Sequence, residues 1–263
     1  MKKVTLLALG LISTSLLGAQ LVQAEEGSVT ANANSTVVLT ADDGDDEGEL
    51  TGPGGGKDDE GVGTITPPDG GEGGEGGVVN PGQKNPLRIS LVSAFDFGTI
   101  KMSGNTETYK AALPTPNFVE GGKQARPNFV QVTDNRGSLE GWNLTAKIAK
   151  QFTNGVSTLD ASTITLSNAW AEPAATDNAE FAPTVPTSSV VLEHGDAKTI
   201  ATAATDKGMG TWNILYGTLN QADKSQKGDA ANSVELTIPG KVKKTVGAYQ
   251  AEVLWTLTNT PTK

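Results

Sequence analysis

Few residues in this chain have side chains suited to catalysis. Among the 263 residues there is one histidine, His194, and no cysteine. The lack of cysteine excludes disulfides, thiolate catalysis and cysteine-ligated zinc, and a single histidine in the polar stretch "LEHGD" is typical of a solvated loop residue. A glycosidase-type carboxylate pair needs neither residue type, yet no spacing brings together the acids Asp134, Glu140, Asp160 and Glu193. We therefore predict that the protein is not an enzyme and has no catalytic residues.

Two stretches imitate ligand-binding loops without meeting their requirements. "GPGGGKD" is one residue short of a phosphate loop, and Asp58 stands where Ser or Thr must ligate magnesium. "DDGDDEGE" lacks the 12-residue spacing and the terminal bidentate Glu of a calcium loop. We interpret both as parts of a solvated acidic tether, with weak calcium association as the alternative for the second. We predict no metal site and no cofactor.

The aromatic residues offer a different chemistry, stacking against sugar rings or anchoring a partner protein. Two of the four tryptophans occur in one pattern, Trp142 with Leu144 and Trp255 with Leu257. The structural alternative is that both pairs fill a core, because each tryptophan shares a strand face with further apolar residues, and such a face would be sticky if exposed. The pattern favours burial of both tryptophans. A further hypothesis is that the two strands are neighbours and the indole rings pack together.

If the tryptophans are buried, the polar residues around them must contact the ligand. Asn143, Thr145 and Thr256 lie on the opposite faces of the two strands and are predicted surface contacts. Asp134 and Arg136, in the turn "DNRG", are further candidates. A turn-stabilising Asx hydrogen bond explains Asp134 equally well.

These candidates must be positioned by β-strands, because apolar and polar residues alternate from about residue 86 onward. In "LRISLV", Leu87, Ile89 and Leu91 are predicted to share one face. The same alternation occurs at Val130 and Val132, from Trp142 to Ile148, at Ile164 and Leu166, from Val234 to Ile238, and from Tyr249 to Leu257. No stretch of the sequence shows a helical stripe longer than about two turns.

Turn signals separate the strands. The stretches 134–137 and 239–247 are predicted hairpin connections, and the segments 111–128, 168–188 and 193–209 are predicted long loops. The sequence therefore predicts an all-β domain of about 180 residues, an antiparallel two-sheet sandwich that is immunoglobulin-like in general architecture.

The N-terminal third of the chain has a different composition. "MKKVTLLALGLISTSLLGAQLVQA" combines a positive start, an apolar run and small residues before a predicted cut after Ala24, which indicates a signal peptide at 1–24. A membrane helix is the alternative, but glycines and polar residues interrupt the run. We predict a short N-terminal segment at 25–40, a disordered acidic Gly/Pro-rich linker at 41–82, and the β-domain at 83–263.

The net charge of −10 is concentrated in one region, since residues 25–80 hold 14 acids and one lysine, whereas residues 81–263 hold 17 bases and 16 acids. The nearly neutral domain lacks the basic footprint of a nucleic-acid-binding protein. Beyond the signal, no segment reaches the ~18 apolar residues that span a bilayer. With neither a C-terminal apolar tail nor a lipid-attachment cysteine, we expect an exported protein held at a surface non-covalently.

Several stretches together resemble the WxL-domain proteins, secreted cell-surface proteins of Gram-positive bacteria. They are "PLRISLVSAFDFGTI", "VQVTDNRGSLEGWNLTAKI", "GMGTWNI" and "SVELTIPGKVKKTVGAYQAEVLWTLTNTP". A single Trp-x-Leu is a weak motif, but two copies in these contexts are specific. The similarity covers about residues 86–263. Asn259 and Thr260 depart slightly from the family, which often has Ala or Asp before the final proline.

The resemblance implies attachment to the cell wall, with peptidoglycan or an associated polymer as the ligand. It also implies assembly with other surface proteins encoded alongside, including membrane-anchored partners. Two hypotheses follow, a wall-binding module and a protein-interaction subunit that docks a partner by strand addition. Binding to protein-free peptidoglycan would distinguish them.

Overall fold

Short β-strands make up most of the regular structure. The computed structural model describes residues 50–53, 63–65, 75–174, 176–219 and 228–259. The strands are β1 (Leu50–Gly52), β2 (Gly63–Ile65), β3 (Val78–Val79), β4 (Leu87–Ser93), β5 (Glu107–Lys110), β6 (Asn117–Phe118), β7 (Gly122–Lys123), β8 (Asn128–Asp134), β9 (Trp142–Thr153), β10 (Thr163–Leu166), β11 (Ala169–Pro173), β12 (Val190–Leu192), β13 (Lys198–Ala203), β14 (Gly210–Tyr216), β15 (Val234–Ile238) and β16 (Gln250–Thr258). Short 3-10 helices lie at Glu75–Gly77, Thr176–Phe181 and Ala230–Asn232.

The strands pair antiparallel throughout these sheets. A five-stranded sheet has the order β11-β14-β8-β4-β3, a four-stranded sheet the order β12-β10-β15-β5, and a three-stranded sheet the order β13-β9-β16. The short strands β1-β2-β6-β7 form a fourth sheet. The all-β antiparallel prediction is confirmed, and the arrangement is consistent with a β-sandwich, although its strands divide among four hydrogen-bonded sheets.

One large apolar core joins the first three sheets. It contains alternate residues of β8, β9, β10 and β15, as the alternation predicts: Val130, Val132, Trp142, Leu144, Ala146, Ile148, Ile164, Leu166, Val234, Leu236 and Ile238. Burying such side chains contributes roughly 25 cal/mol for each Å² of apolar surface removed from water. This core is therefore the main source of stability in a chain without disulfides.

The prediction that Leu87, Ile89 and Leu91 share one face is wrong. Ile89 pairs with Val132 and Leu91 with Gln131, so that Ser90 is an extra residue in β4. A bulge of this kind shifts the alternation by one position. Ile89 therefore packs in the large core, whereas Leu91 lies in a second cluster on the other face, with Val78, Phe118, Phe129 and Leu215.

The two predicted hairpins connect different sheets. Residues 134–137 lead from β8 in the five-stranded sheet to β9 in the three-stranded sheet, and residues 239–247 lead from β15 to β16, which also lie in different sheets. A turn sequence reverses the chain but does not specify which strand the next one pairs with. All three predicted loops also contain strands: β6 and β7 within 111–128, β11 within 168–188, and β13 within 193–209.

The folded region begins before residue 83. Val78, in the predicted linker, pairs with Ser93 of β4 and is fully buried, so residues 78–79 belong to the domain. The predicted signal peptide, the segment 25–40 and most of the predicted linker lie outside the described residues. Within the described ranges, no helix is long and apolar enough to cross a membrane.

Candidate functional site

The two Trp-x-Leu strands are direct neighbours. β16 pairs antiparallel with β9, and in this register Leu257 lies opposite Leu144 while Trp255 lies opposite Ala146. The hypothesis of neighbouring strands is confirmed. The hypothesis that the two indole rings pack together is wrong. Trp142 is four residues from Ala146 along β9, roughly 13 Å at the usual rise of a strand, and each indole contacts different residues.

Trp142 is a core residue. Its side chain is 0% exposed, and its indole Nε1 donates a hydrogen bond to the Gly208 carbonyl oxygen at 3.0 Å. Two glycines with positive φ allow close packing around it: Gly208 (φ 76°) makes room for the indole, and Gly141 (φ 76°) lets the chain before Trp142 approach the end of β13. A Cβ on Gly208 would collide with the indole Nε1, and one on Gly141 with the backbone oxygen of Ala203.

Asp134 and Arg136 form a clamp beside Trp142, in which the carboxylate is buried and the guanidinium is half-buried. The Arg136 Nε and Nη2 donate to the two Asp134 carboxylate oxygens, each at 2.8 Å. Nη2 also donates to the Gly141 carbonyl oxygen at 2.7 Å, directly before the tryptophan. The hydrogen bond that Arg136 donates to Asp134 raises the pKa of Arg136 above its usual value.

Trp255 is half-buried, and its strand β16 is the edge strand of the sheet. The Phe95 ring meets it edge-to-face, with ring centroids 6.5 Å apart. Phe97, two residues further on, meets Phe152 of β9 in the same way at 6.1 Å. The stretch "AFDFG" therefore lies over the apolar face of β9 and β16. Burial is confirmed for Trp142, whereas Trp255 borders solvent.

The predicted surface contacts divide into buried and accessible residues. Asn143 is 8% exposed and its Oδ1 accepts a hydrogen bond from the Thr202 hydroxyl at 2.9 Å, and Asp134 is 6% exposed. Neither can present its side chain to a polymer, because β13 covers the first and the clamp occupies the second. Thr145 and Arg136 are half-buried, and Thr256 is exposed.

A tyrosine clamp joins two loops at the start of β16. The Tyr249 hydroxyl donates to the Thr245 carbonyl oxygen at 3.0 Å, accepts from the Thr245 N–H at 2.9 Å, and is hydrogen-bonded to the Ser157 hydroxyl. These bonds, above all the one to Ser157, lower the pKa of Tyr249. The clamp fixes the entry of the chain into β16.

Three of the titratable residues considered from the sequence lie around one cavity. Asp160, Glu193 and His194 line a cavity of about 470 Å³, whose remaining lining residues are Gln151, Ala161, Ser162, Thr163 and Asp196. No local pattern indicated this grouping, because the lining residues come from β9, from the stretch that leads into β10 and from the segment before β13. Glu140 lies elsewhere, 3.6 Å from the Arg136 guanidinium. Among the described residues, no three His, Asp or Glu side chains could hold a metal ion.

The fold and these contacts define an all-β module whose central tryptophan is structural and whose edge tryptophan borders solvent. A family model described as a WxL domain, surface and cell-wall-binding, matches residues 24–261, and the chain belongs to this family. The resemblance is thus confirmed, and the match extends well before residue 86. The protein is a surface protein associated with the cell wall. No curated protein and no solved structure shows significant similarity to the chain.

Proposed function

We propose that the domain holds the protein on the wall non-covalently by binding peptidoglycan or a polymer attached to it, and that it acts without catalysis. The observation that carries the proposal is the wall-binding family match over residues 24–261, which spans all of the described strands. The folded part of the chain is therefore the wall-binding domain itself. Hydrolysis of wall material by the purified protein, measured as newly released reducing ends or amino groups, would contradict the non-catalytic part.

The polymer must contact residues that water can reach. This requirement removes Trp142, Asn143 and Asp134, which are buried. It leaves β16, where Trp255 and the Phe95 that covers it are half-buried on one face and Thr256 is exposed on the other. Aromatic rings at such a border suit the apolar faces of sugars.

The test is co-sedimentation of the purified protein with wall sacculi. One set of sacculi is stripped of all proteins, and the other keeps its proteins. The proposal expects equal retention on both. Retention only on the unstripped walls would contradict it and would favour the second candidate.

That second candidate is a protein-interaction subunit, and the edge position of β16 favours it. In the described part of the chain, β16 pairs on one side only, with β9. An open strand edge is a template for an added strand from a partner. The expected result would be capture of a membrane- or wall-anchored surface protein from the unstripped walls by wild-type protein but not by Leu254→Pro, since proline interrupts an edge ladder.

A further inference from the structure

The cavity at the end of β9 has a buried polar floor. Gln151 and Ser162 line it and are 9% and 0% exposed. The Gln151 Nε2 donates to the Ser162 carbonyl oxygen at 3.0 Å, which fixes the orientation of the amide. The Gln151 Oε1 and the Ser162 Oγ are both buried without a hydrogen-bond partner. Such atoms cost free energy unless something donates to them.

The rim of the cavity is acidic. Asp160, Glu193 and Asp196 are exposed lining residues. Lys198 lies 2.5 Å from an Asp196 oxygen and 3.5 Å from a Glu193 oxygen, so that its single positive charge offsets only part of the charge of the three carboxylates. The rim therefore keeps an excess of negative charge.

His194 adds another acceptor to the rim. Its Nε2 lies 3.2 Å from the Ala149 carbonyl oxygen, and because a carbonyl only accepts, this nitrogen is the donor. In the neutral ring the other nitrogen, Nδ1, is an acceptor. Floor and rim together offer acceptors and negative charge.

We infer that this cavity binds a primary ammonium group carried by the wall polymer. A metal ion is not the fitting cation, because among the described residues no three acids or histidines could hold one. An ammonium group has three donors and one positive charge, which match the two unpartnered floor oxygens and the rim. The volume of about 470 Å³ lies within the range of small-ligand sites. The inference rests on the proposed wall binding and deepens it.

The first experiment blocks the amines of the ligand. Protein-stripped sacculi are acetylated with acetic anhydride, and retention of the intact chain is compared with untreated sacculi. We expect about tenfold weaker retention after acetylation, the effect of losing charge-assisted hydrogen bonds. The variant Asp160→Asn/Glu193→Gln should lose about as much on untreated sacculi and should not respond to acetylation.

A matched control removes two charges elsewhere. Glu120 and Asp206 are exposed and do not line the cavity, so Glu120→Gln/Asp206→Asn should bind like wild type. Equal loss in this control would show a general charge effect and would overturn the inference. Thermal midpoints of both variants check that the fold is kept.

Two sources of the amine can be separated. Mild base removes amino acids esterified to a polymer and leaves the amines of peptides. If base treatment abolishes retention, the bound amine belongs to an esterified amino acid. If retention is complete after base, the bound amine belongs to a peptide. Titration with Nα-acetyl-lysine amide and with D-alanine methyl ester, followed by NMR shifts of the Ala161 and Thr163 amides, gives a direct readout without walls.

Different results would contradict the amine site and the proposed wall binding. If acetylation leaves retention unchanged and neither probe shifts the two amides, the cavity is not an amine site although wall binding stands. If untreated sacculi retain no protein, the proposed function fails, and the NMR titration still decides whether the cavity binds an ammonium group.

Discussion

The two Trp-x-Leu strands share a pattern but not an environment. β9 lies between β13 and β16, and its Trp142 is enclosed by the Gly208 carbonyl and two neighbouring strands. β16 is an edge strand, and its Trp255 has one side covered by Phe95 and another towards water. The same three residues therefore act as a core element in one strand and as a boundary element in the other. A repeated motif does not imply a repeated role.

The largest expected effect tests whether Trp142 is a core residue. Trp142→Ala should lower the free energy of unfolding by about 3–5 kcal/mol, as other large truncations in cores do. Chemical denaturation measures it, and Trp142→Phe, which keeps most of the volume but loses the bond to Gly208, should cost less. An unchanged thermal midpoint with lost wall binding would show that Trp142 is a binding residue.

The next effect tests how the glycines support Trp142. Gly208→Ala should destabilise by about 2–4 kcal/mol, because it adds a collision with the indole to the strain of positive φ. Gly155 has a similar φ, 82°, and nothing near its added Cβ. Gly155→Ala should therefore cost only about 1 kcal/mol. If both variants lowered the free energy of unfolding equally, the collision with the indole would not contribute to the effect of Gly208→Ala.

A smaller effect on stability tests whether Trp255 lies at the border between the core and solvent. Trp255→Ala should cost about 1–2 kcal/mol, since only part of the side chain leaves water on folding. If Trp255 contacts the polymer, retention on protein-free sacculi should fall more than the stability loss explains. Phe97→Leu, which removes the neighbouring edge-to-face contact with Phe152 and leaves Trp255 and Phe95 in place, is the control. Normal retention of Trp255→Ala would place the contact elsewhere.

The smallest effect concerns a buried hydroxyl in the same core as Trp142. Burial raises the pKa of Tyr216 above its ordinary value of 10.0, and its hydroxyl has no hydrogen-bond partner. Above pH 10 the unfolded chain loses this proton while the folded chain keeps it, so stability falls as pH rises. Tyr216→Phe should be neutral or stabilising by up to about 1 kcal/mol at pH 7. Its thermal midpoint should also fall less than that of wild type between pH 9 and 11, and parallel pH curves would contradict this.

Local alternation predicted most strands and their buried faces because period-two burial is a property of each strand alone. It failed at Ser90, where one inserted residue reverses the faces of Ile89 and Leu91. It also missed β13, whose pairing with β9 has a register shift between Thr199 and Ala201. A bulge depends on which strand is the pairing partner, and the local sequence does not determine that partner.

The site was less predictable than the fold. The exposure of Asn143 was mispredicted because strand alternation cannot reveal that β13 packs beside it. The clamp between Asp134 and Arg136 was visible only as a turn. The cavity residues Gln151, Ser162 and Asp196 had no sequence signal at all, since they meet only once three separate segments are folded.

The pairing of β9 with β16 has a consequence for the time course of folding. About a hundred residues separate these strands, and contacts between such distant segments slow the search for the native state. Until β16 arrives, one edge of β9 stays open to pairing with other chains, which is the condition that favours aggregation. A chaperone that shields extended chains would thus act most effectively on residues 142–153 before the last strand docks.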